Sequence, residues 1–302
     1  MKAEVNEVVP QQKKEKNSMS KAYQTNRLLG HPPDARLLIL NADDFGMYRA
    51  INEAIMRTLK EGVVCSTTLM APWPGAAQAM QLLRENPEIA FGVHLTVICD
   101  LDKYRWGPLT PKEKVPSLVD EAGYFYNEKR VTEFLAQVNL AELELEFRAQ
   151  IKAVLAAGLK PTHLDWHCLH NGGQDDIFEM TFGLAREYGL ALRIGGPALV
   201  ERLQRQGLPT NEHDLLDSFR IDLADKPARY AQMLRDLPVG LSEWAVHPGL
   251  DSAEAQAIDP DGWPVRYSDF EFLISPEARQ IIEEEGIILL NYRPLQEVWQ
   301  GK

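Results

Sequence analysis

From residue 36 onward the chain alternates between two patterns. Short, nearly continuous apolar runs fall at 37–40, 63–70, 89–95, 162–165, 190–194, 219–221, 241–246 and 287–291, and runs of that kind bounded by turn signals predict strands. Between them, residues 49–61, 76–85, 131–157, 177–188, 227–237 and 276–285 place apolar side chains at helical spacing. Gly62, Gly158, Gly189 and Gly286 stand where four of these helices would stop, since glycine accepts the left-handed conformation that ends many helices. Repeated strand-then-helix order predicts an α/β chain, a parallel sheet covered by helices. About eight strands favour curling that sheet into a (β/α) TIM-like barrel, either complete or distorted with fewer than eight strands.

Two stretches break the rhythm, at about 98–130 and 248–273. The first carries prolines, Trp106 and Gly123-Tyr124-Phe125-Tyr126, and the second carries Asp259-Pro260-Asp261-Gly262-Trp263. Irregular insertions at the carboxyl ends of barrel strands form lids, binding walls or oligomer contacts. The Tyr124-Phe125-Tyr126 cluster is a candidate homodimer patch. Residues 1–34, with Gln11-Gln12-Lys13-Lys14-Glu15-Lys16, predict a disordered tail in which Met19 offers a second reading of the start. Residues 35–302 then form a single barrel domain.

Composition narrows the function. A chain of 302 residues buries roughly three quarters of its unfolded surface and needs no disulfide to complete a core. With 44 acids against 32 bases the formal charge is −12, which repels phosphate backbones and anionic lipid and so argues against nucleic acid or a membrane surface as partner. A small neutral or cationic substrate suits it better. Cys65, Cys99 and Cys168 lie far apart with no CxxC pair, the usage of a reducing compartment, so the expected location is the cytoplasm. The tail holds no apolar stretch long enough for a signal-peptide core or a membrane span.

The chemistry sits at the strand ends, where a barrel gathers its reactive groups. Asp43-Asp44 closes the first strand, His94 the third, His163-Leu164-Asp165-Trp166-His167 the fourth, and His247 the run ending Ala245-Val246. Adjacent carboxylates repel and are costly to desolvate, so a cation or a catalytic task would offset that cost. A turn and helix cap fit them equally well, because Gly46 permits a tight turn and a helix follows. In an extended fourth strand His163, Asp165 and His167 share one face, either as a hydrogen-bonded structural cluster or as imidazoles oriented by a carboxylate. His94 with a second histidine and a carboxylate completes a set that binds a divalent metal and leaves positions open for water.

Asn41-Ala42-Asp43-Asp44-Phe45-Gly46, Gly62-Val63-Val64-Cys65-Ser66-Thr67-Thr68, Gly92-Val93-His94-Leu95-Thr96 and Pro161-Thr162-His163-Leu164-Asp165-Trp166-His167 together resemble the YdjC-like (ChbG) carbohydrate deacetylases, relatives of the NodB-type polysaccharide deacetylases. The likeness runs in order from about Arg36 to Pro294, with Pro116-Ser117-Leu118-Val119-Asp120 and Tyr292-Arg293-Pro294-Leu295 also similar. It departs at His167-Cys168-Leu169-His170, where many members carry histidines in another register, which marks a divergent branch.

The resemblance implies a metal held by Asp44, His94 and His167, with Asp43 as base and His247, in a His-Pro-Gly turn, as general acid. The implied reaction is hydrolysis of an N-acetylated sugar to acetate and an amine. Mg2+ is the metal favoured by the family, with Zn2+ the alternative that imidazole ligands suit. Asp165 is expected to orient His167 or His247, and Arg293 to pair with Asp43; His163 joins them as a neighbour of the site. Trp73, among the tryptophans near strand ends, is a candidate for stacking on a sugar ring. Two other classes share these residues: a non-haem iron oxygenase, which uses two histidines and one carboxylate, and a non-catalytic sugar- or metal-binding protein.

Overall fold

The strand that ends in the paired acids, β1 (Arg36–Phe45), is buried from Leu37 onward because it is flanked by strands along both edges. A computed structural model describes residues 24–301 of the chain. The other strands are β2 (Ser66–Leu69), β3 (Phe91–Leu95), β4 (Ile98–Cys99), β5 (Tyr126–Asn127), β6 (His163–Trp166), β7 (Ala191–Leu192), β8 (Leu216–Asp217), β9 (Gly240–Val246) and β10 (Ile288–Leu289). All pairings in the main sheet are parallel, in the order β7-β6-β3-β2-β1-β9-β8. β10 pairs with Leu37 and Leu38 on the edge of β1 opposite β9, below the stretch where β2 takes over. Read as β8-β9-β1-β2-β3-β6-β7, the strands follow cyclic chain order, as a barrel requires. Among the described residues no ladder joins β7 to β8, so the barrel is a distorted one with an open seam.

Helices Arg49–Glu61, Ala76–Glu85, Leu140–Ala156 and Asp175–Tyr188 fill the crossovers between parallel strands. The expected helix at 131–157 is two helices, Val131–Gln137 and Leu140–Ala156. Asn139 divides them by accepting the Ala141 and Glu142 N–H groups as a cap. The strand expected at 219–221 is displaced to β8, because Asp217 accepts the Phe219 N–H and turns the chain.

Both insertions differ from expectation in part. The second, 248–273, is not irregular: it holds helices Ala253–Ile258 and Trp263–Leu273, the former capped by Ser252. Gly262 and Pro264 lie at the start of the second of these helices, where a proline's missing N–H and fixed φ are tolerated. Helices Pro197–Arg205 and Arg293–Gln300 also begin with proline in their first turn and were not foreseen. The first insertion carries the two-stranded β4–β5 sheet and is gripped by buried Glu146, which accepts the Leu109 and Thr110 N–H groups. Phe125 and Tyr126 pack inside it, and of the Tyr124-Phe125-Tyr126 cluster only Tyr124 is exposed.

The tail expected over 1–34 divides. Residues 1–23 lie outside the described residues. Beyond them a short helix, Gln24–Leu28, is folded onto the body, with Thr25 Oγ1 donating to Thr210 O at 2.7 Å. Polar side chains anchor this segment, which is why apolar patterning did not reveal it. No helix among the described residues is long and apolar enough to cross a membrane.

Gly92 on β3 faces the His163 ring of β6, and a Cβ there would lie 2.6 Å from Nε2. That ring is stacked on Tyr292, centroids 3.6 Å apart, so it has no room to yield. Gly92→Ala should destabilise the protein by about 1–3 kcal/mol, measured as a shift of the denaturant midpoint at unchanged slope.

Candidate active site

Side chains of a regular strand alternate, so Asp43 and Asp44 would point to opposite faces. The chain avoids this at Asp44 itself, which adopts φ 69°, a left-handed conformation that costs a non-glycine residue energy. The pairing register with β2 slips between Ala42 and Phe45, the mark of a bulge that re-aims a side chain. Gly46, at φ 103°, then completes the turn, its N–H donated to Asn52 Oδ1 at 2.7 Å. Both carboxylates end up buried in the lumen.

Asp44 meets the imidazoles of His94 and His167. Its Oδ1 lies 3.5 Å from His94 Nε2 and 3.3 Å from His167 Nδ1, yet accepts no hydrogen bond. Its Oδ2 is held by Arg266 Nη1 at 2.8 Å. A cation with bonds of about 2.0–2.2 Å spaces its nitrogen and oxygen ligands roughly 3.3–3.5 Å apart in tetrahedral geometry, which is the spacing observed. The orphaned Oδ1 and the facing nitrogens therefore fit a divalent ion, and Asp44, His94 and His167 could hold one. His94 is already oriented for it, with Nδ1 bonded to Asp165 Oδ1 at 2.9 Å and Nε2 turned to the site.

Asp43 is held by Arg193, whose Nη1 and Nη2 reach Oδ2 and Oδ1, each at 2.8 Å. The same guanidinium lies 2.7 Å from Asp165 Oδ2 and 2.7 Å from Glu243 Oε1. One planar fork of donors thus joins carboxylates from β1, β6 and β9. Burial alone would raise the Asp43 carboxyl, but Arg193 holds it far below the usual range. Asp44 is likewise driven down against burial by Arg266 and the two imidazoles. Burial lowers a histidine, yet the Asp165 carboxylate, aided by Asp44, lifts His94 to about 9. His167 is also raised against burial, by its acidic neighbours Cys168 and Asp100.

His247 lies on the same cleft, about 630 Å³ in volume, together with Asp43, Asp44, His94 and His167. Its backbone N–H is fixed by Asp269 Oδ2 at 2.9 Å, and Asp269 is in turn paired with buried Lys226 at 3.0 Å. The ring stands edge-on to Phe219, and its Nδ1 has no partner.

A family model for YdjC-like proteins matches residues 37–284. The chain belongs to the YdjC-like family. A carbohydrate deacetylase of Enterococcus faecalis is 36% identical over 266 residues, covering 85% of this chain and 97% of that protein. One from Thermoanaerobacter pseudethanolicus is 29% identical over 261 residues, 86% of this chain and all (100%) of that protein. A solved structure from Enterococcus faecalis, given the provisional name of a cellobiose-phosphate cleavage protein, is 35% identical with a TM-score of 0.75, covering 86% of this chain and 99% of that one.

Within this YdjC-like chain the structure brings Asp43, Asp44, His94, His167 and His247 to one cleft, and it relocates their neighbours. Asp165 orients His94, not His167 or His247, because β3 and β6 are adjacent and His94 stands directly beside Asp165 in register. Arg293 does not reach Asp43: it donates to the Pro87, Glu88 and Ile89 carbonyls, and Arg193 occupies the place expected of it. His163 is buried against Tyr292 with Nδ1 bonded to Thr162, and burial keeps its pKa low. Trp73 stacks on Tyr104 and packs at a tilt against Trp106, and with 3% exposure its ring is covered by these neighbours. Arg193, Arg266, Asp100 and Glu243 were not foreseen. A lone arginine inside the apolar run Leu190-Ala191-Leu192-Arg193-Ile194 was the available signal for the first.

Replacing Arg193 by Met leaves buried carboxylates without their cation and should cost about 3–5 kcal/mol, read from chemical unfolding. Ligation requires neutral imidazoles, while in the metal-free protein His94 titrates at about 9. Its contacts therefore stabilise metal-free protein fully below its unfolded pKa and are lost as pH rises through about 9. Metal binding has the opposite sign: at pH 7 it should release protons and should weaken as pH falls. Calorimetry in buffers of different ionisation enthalpy measures that release.

Proposed function

We propose that the protein is a metal-dependent carbohydrate N-deacetylase, in which Asp44, His94 and His167 hold a divalent ion and Asp43 beside them acts as base. The observation that carries this reading is the division of the two acids. Asp44 turns an unbonded oxygen toward two imidazole nitrogens, while Asp43 is held by both arms of the Arg193 guanidinium and has His94 only as a more distant neighbour, within 4.8 Å. The names of the relatives support the substrate class.

A divalent ion bound there would supply a Lewis acid that lowers the pKa of a water and polarises an N-acetyl carbonyl. Asp43 would accept the proton of the attacking water. Its carboxyl is a weak base, because Arg193 holds it low; the same guanidinium also pairs with Asp165 and Glu243. His247 would donate a proton to the leaving amine, and Asp269 fixes the backbone from which it does so. Arg266 would hold Asp44 so that only one oxygen faces the ion. The products are acetate and an amino sugar. Magnesium follows from family resemblance and zinc from the imidazole pair; add-back of each to metal-free protein decides between them.

Asp43→Asn should retain the metal and lose about 10²–10⁴-fold in acetate release from N-acetylated sugars. Asp44→Ala and His167→Ala should lose metal and turnover together. Metal content by elemental analysis and acetate by coupled assay check both, and full turnover in Asp43→Asn would remove Asp43 as base.

A further inference from the structure

Next to the deacetylase set, His167 presents its other ring nitrogen to a separate group of ligands. His167 Nε2 lies 3.3 Å from Cys168 Sγ and 3.4 Å from Asp100 Oδ1, and one ligand atom from each of the three residues lies within 4.8 Å of the others. For metal–ligand bonds of about 2.0–2.3 Å, tetrahedral geometry puts ligand atoms roughly 3.3–3.7 Å apart, so these contacts have the spacing of a coordination shell. Asp100 Oδ1 accepts no hydrogen bond, while Oδ2 faces Arg266 at 3.8 Å, which leaves Oδ1 for the ion. Cys168 adopts φ 58°, a strained conformation for a side-chain-bearing residue. Its thiol lines the cleft with Asp100 and His167, so an ion has a path in and solvent can complete its shell.

We propose that Asp100, His167 and Cys168 form a second position for a soft divalent ion such as zinc, alternative to the Asp44, His94 and His167 set. Thiolate selects soft ions and carboxylate with imidazole accepts hard ones, so the two positions differ in preference. They are alternatives because a neutral imidazole has one lone pair to give. The thiol loses its proton to solvent as the ion binds. An ion drawn to the thiolate position takes His167 from the neighbouring set. Zinc in excess is therefore an inhibitor of enzyme charged with a harder metal, a consequence that rests on the deacetylase reading, whereas the site itself does not.

Cobalt(II) reports thiolate ligation through a near-ultraviolet charge-transfer band, independently of turnover. Metal-free wild-type protein and the His94→Ala variant should both develop that band on cobalt titration, and Cys168→Ser should lack it while still binding cobalt. In magnesium-charged enzyme Cys168→Ser should raise the zinc concentration for half-inhibition by about tenfold or more. Absence of the band from wild-type protein, or its loss in His94→Ala, would overturn a separate thiolate position. If the bands behave as stated but no acetate is released from any sugar, the deacetylase reading fails and the ion site stands.

Discussion

The fold and the chemistry both depend on Arg193. It follows β7, the last strand on one side of the open seam, and its guanidinium spans the lumen to Asp43 on β1, Asp165 on β6 and Glu243 on β9. Where backbone pairing does not close the barrel, this set of ion pairs ties its sides together. Buried charges of this kind are costly to desolvate and are retained where their geometry is complete. Here each carboxylate has a further partner: Asn41 for Asp43, His94 for Asp165 and Tyr292 for Glu243.

The same arrangement sorts the acids. Asp43 is neutralised by a guanidinium, while Asp44, one residue on, is turned by its left-handed backbone to face the imidazoles more closely. A strained residue inside an otherwise regular strand is a cost the surrounding structure must outweigh. The Arg266 contact to Asp44, supplied by the helix Trp263–Leu273, is one of the interactions that does so. The insertion that carries this helix is thus part of the site and not only a cover over it.

Much of this was legible in the sequence. Alternating strand and helix patterns give the parallel sheet, and parallel strands bring their carboxyl ends together, so Asp44, His94 and His167 converge once the topology is known. Strand alternation also placed Asp165 toward the lumen. It could not name the partner, because that depends on which strands are neighbours: β6 lies against β3, so Asp165 meets His94. Arg193 was hidden because a single cation in a short apolar run is the weakest of local signals. Arg293 stood beside recognisable family residues but faces the backbone below the sheet. The second insertion looked irregular from its prolines and aspartates, yet Asp259 ends one helix and Pro264 begins the next. The resemblance that suggested the chemistry assigned no role to Cys168 or Asp100.

In the proposed reaction Asp44, His94 and His167 hold an ion on which hydrolysis depends. The most direct measurement is acetate release from N-acetylated mono- and disaccharides by protein stripped of metal, followed by titration with magnesium or zinc. Stripped protein should release no acetate, and activity should recover to a plateau near one equivalent of bound ion. Full activity in the stripped protein, or no acetate from any N-acetylated sugar at any metal loading, would contradict that reaction.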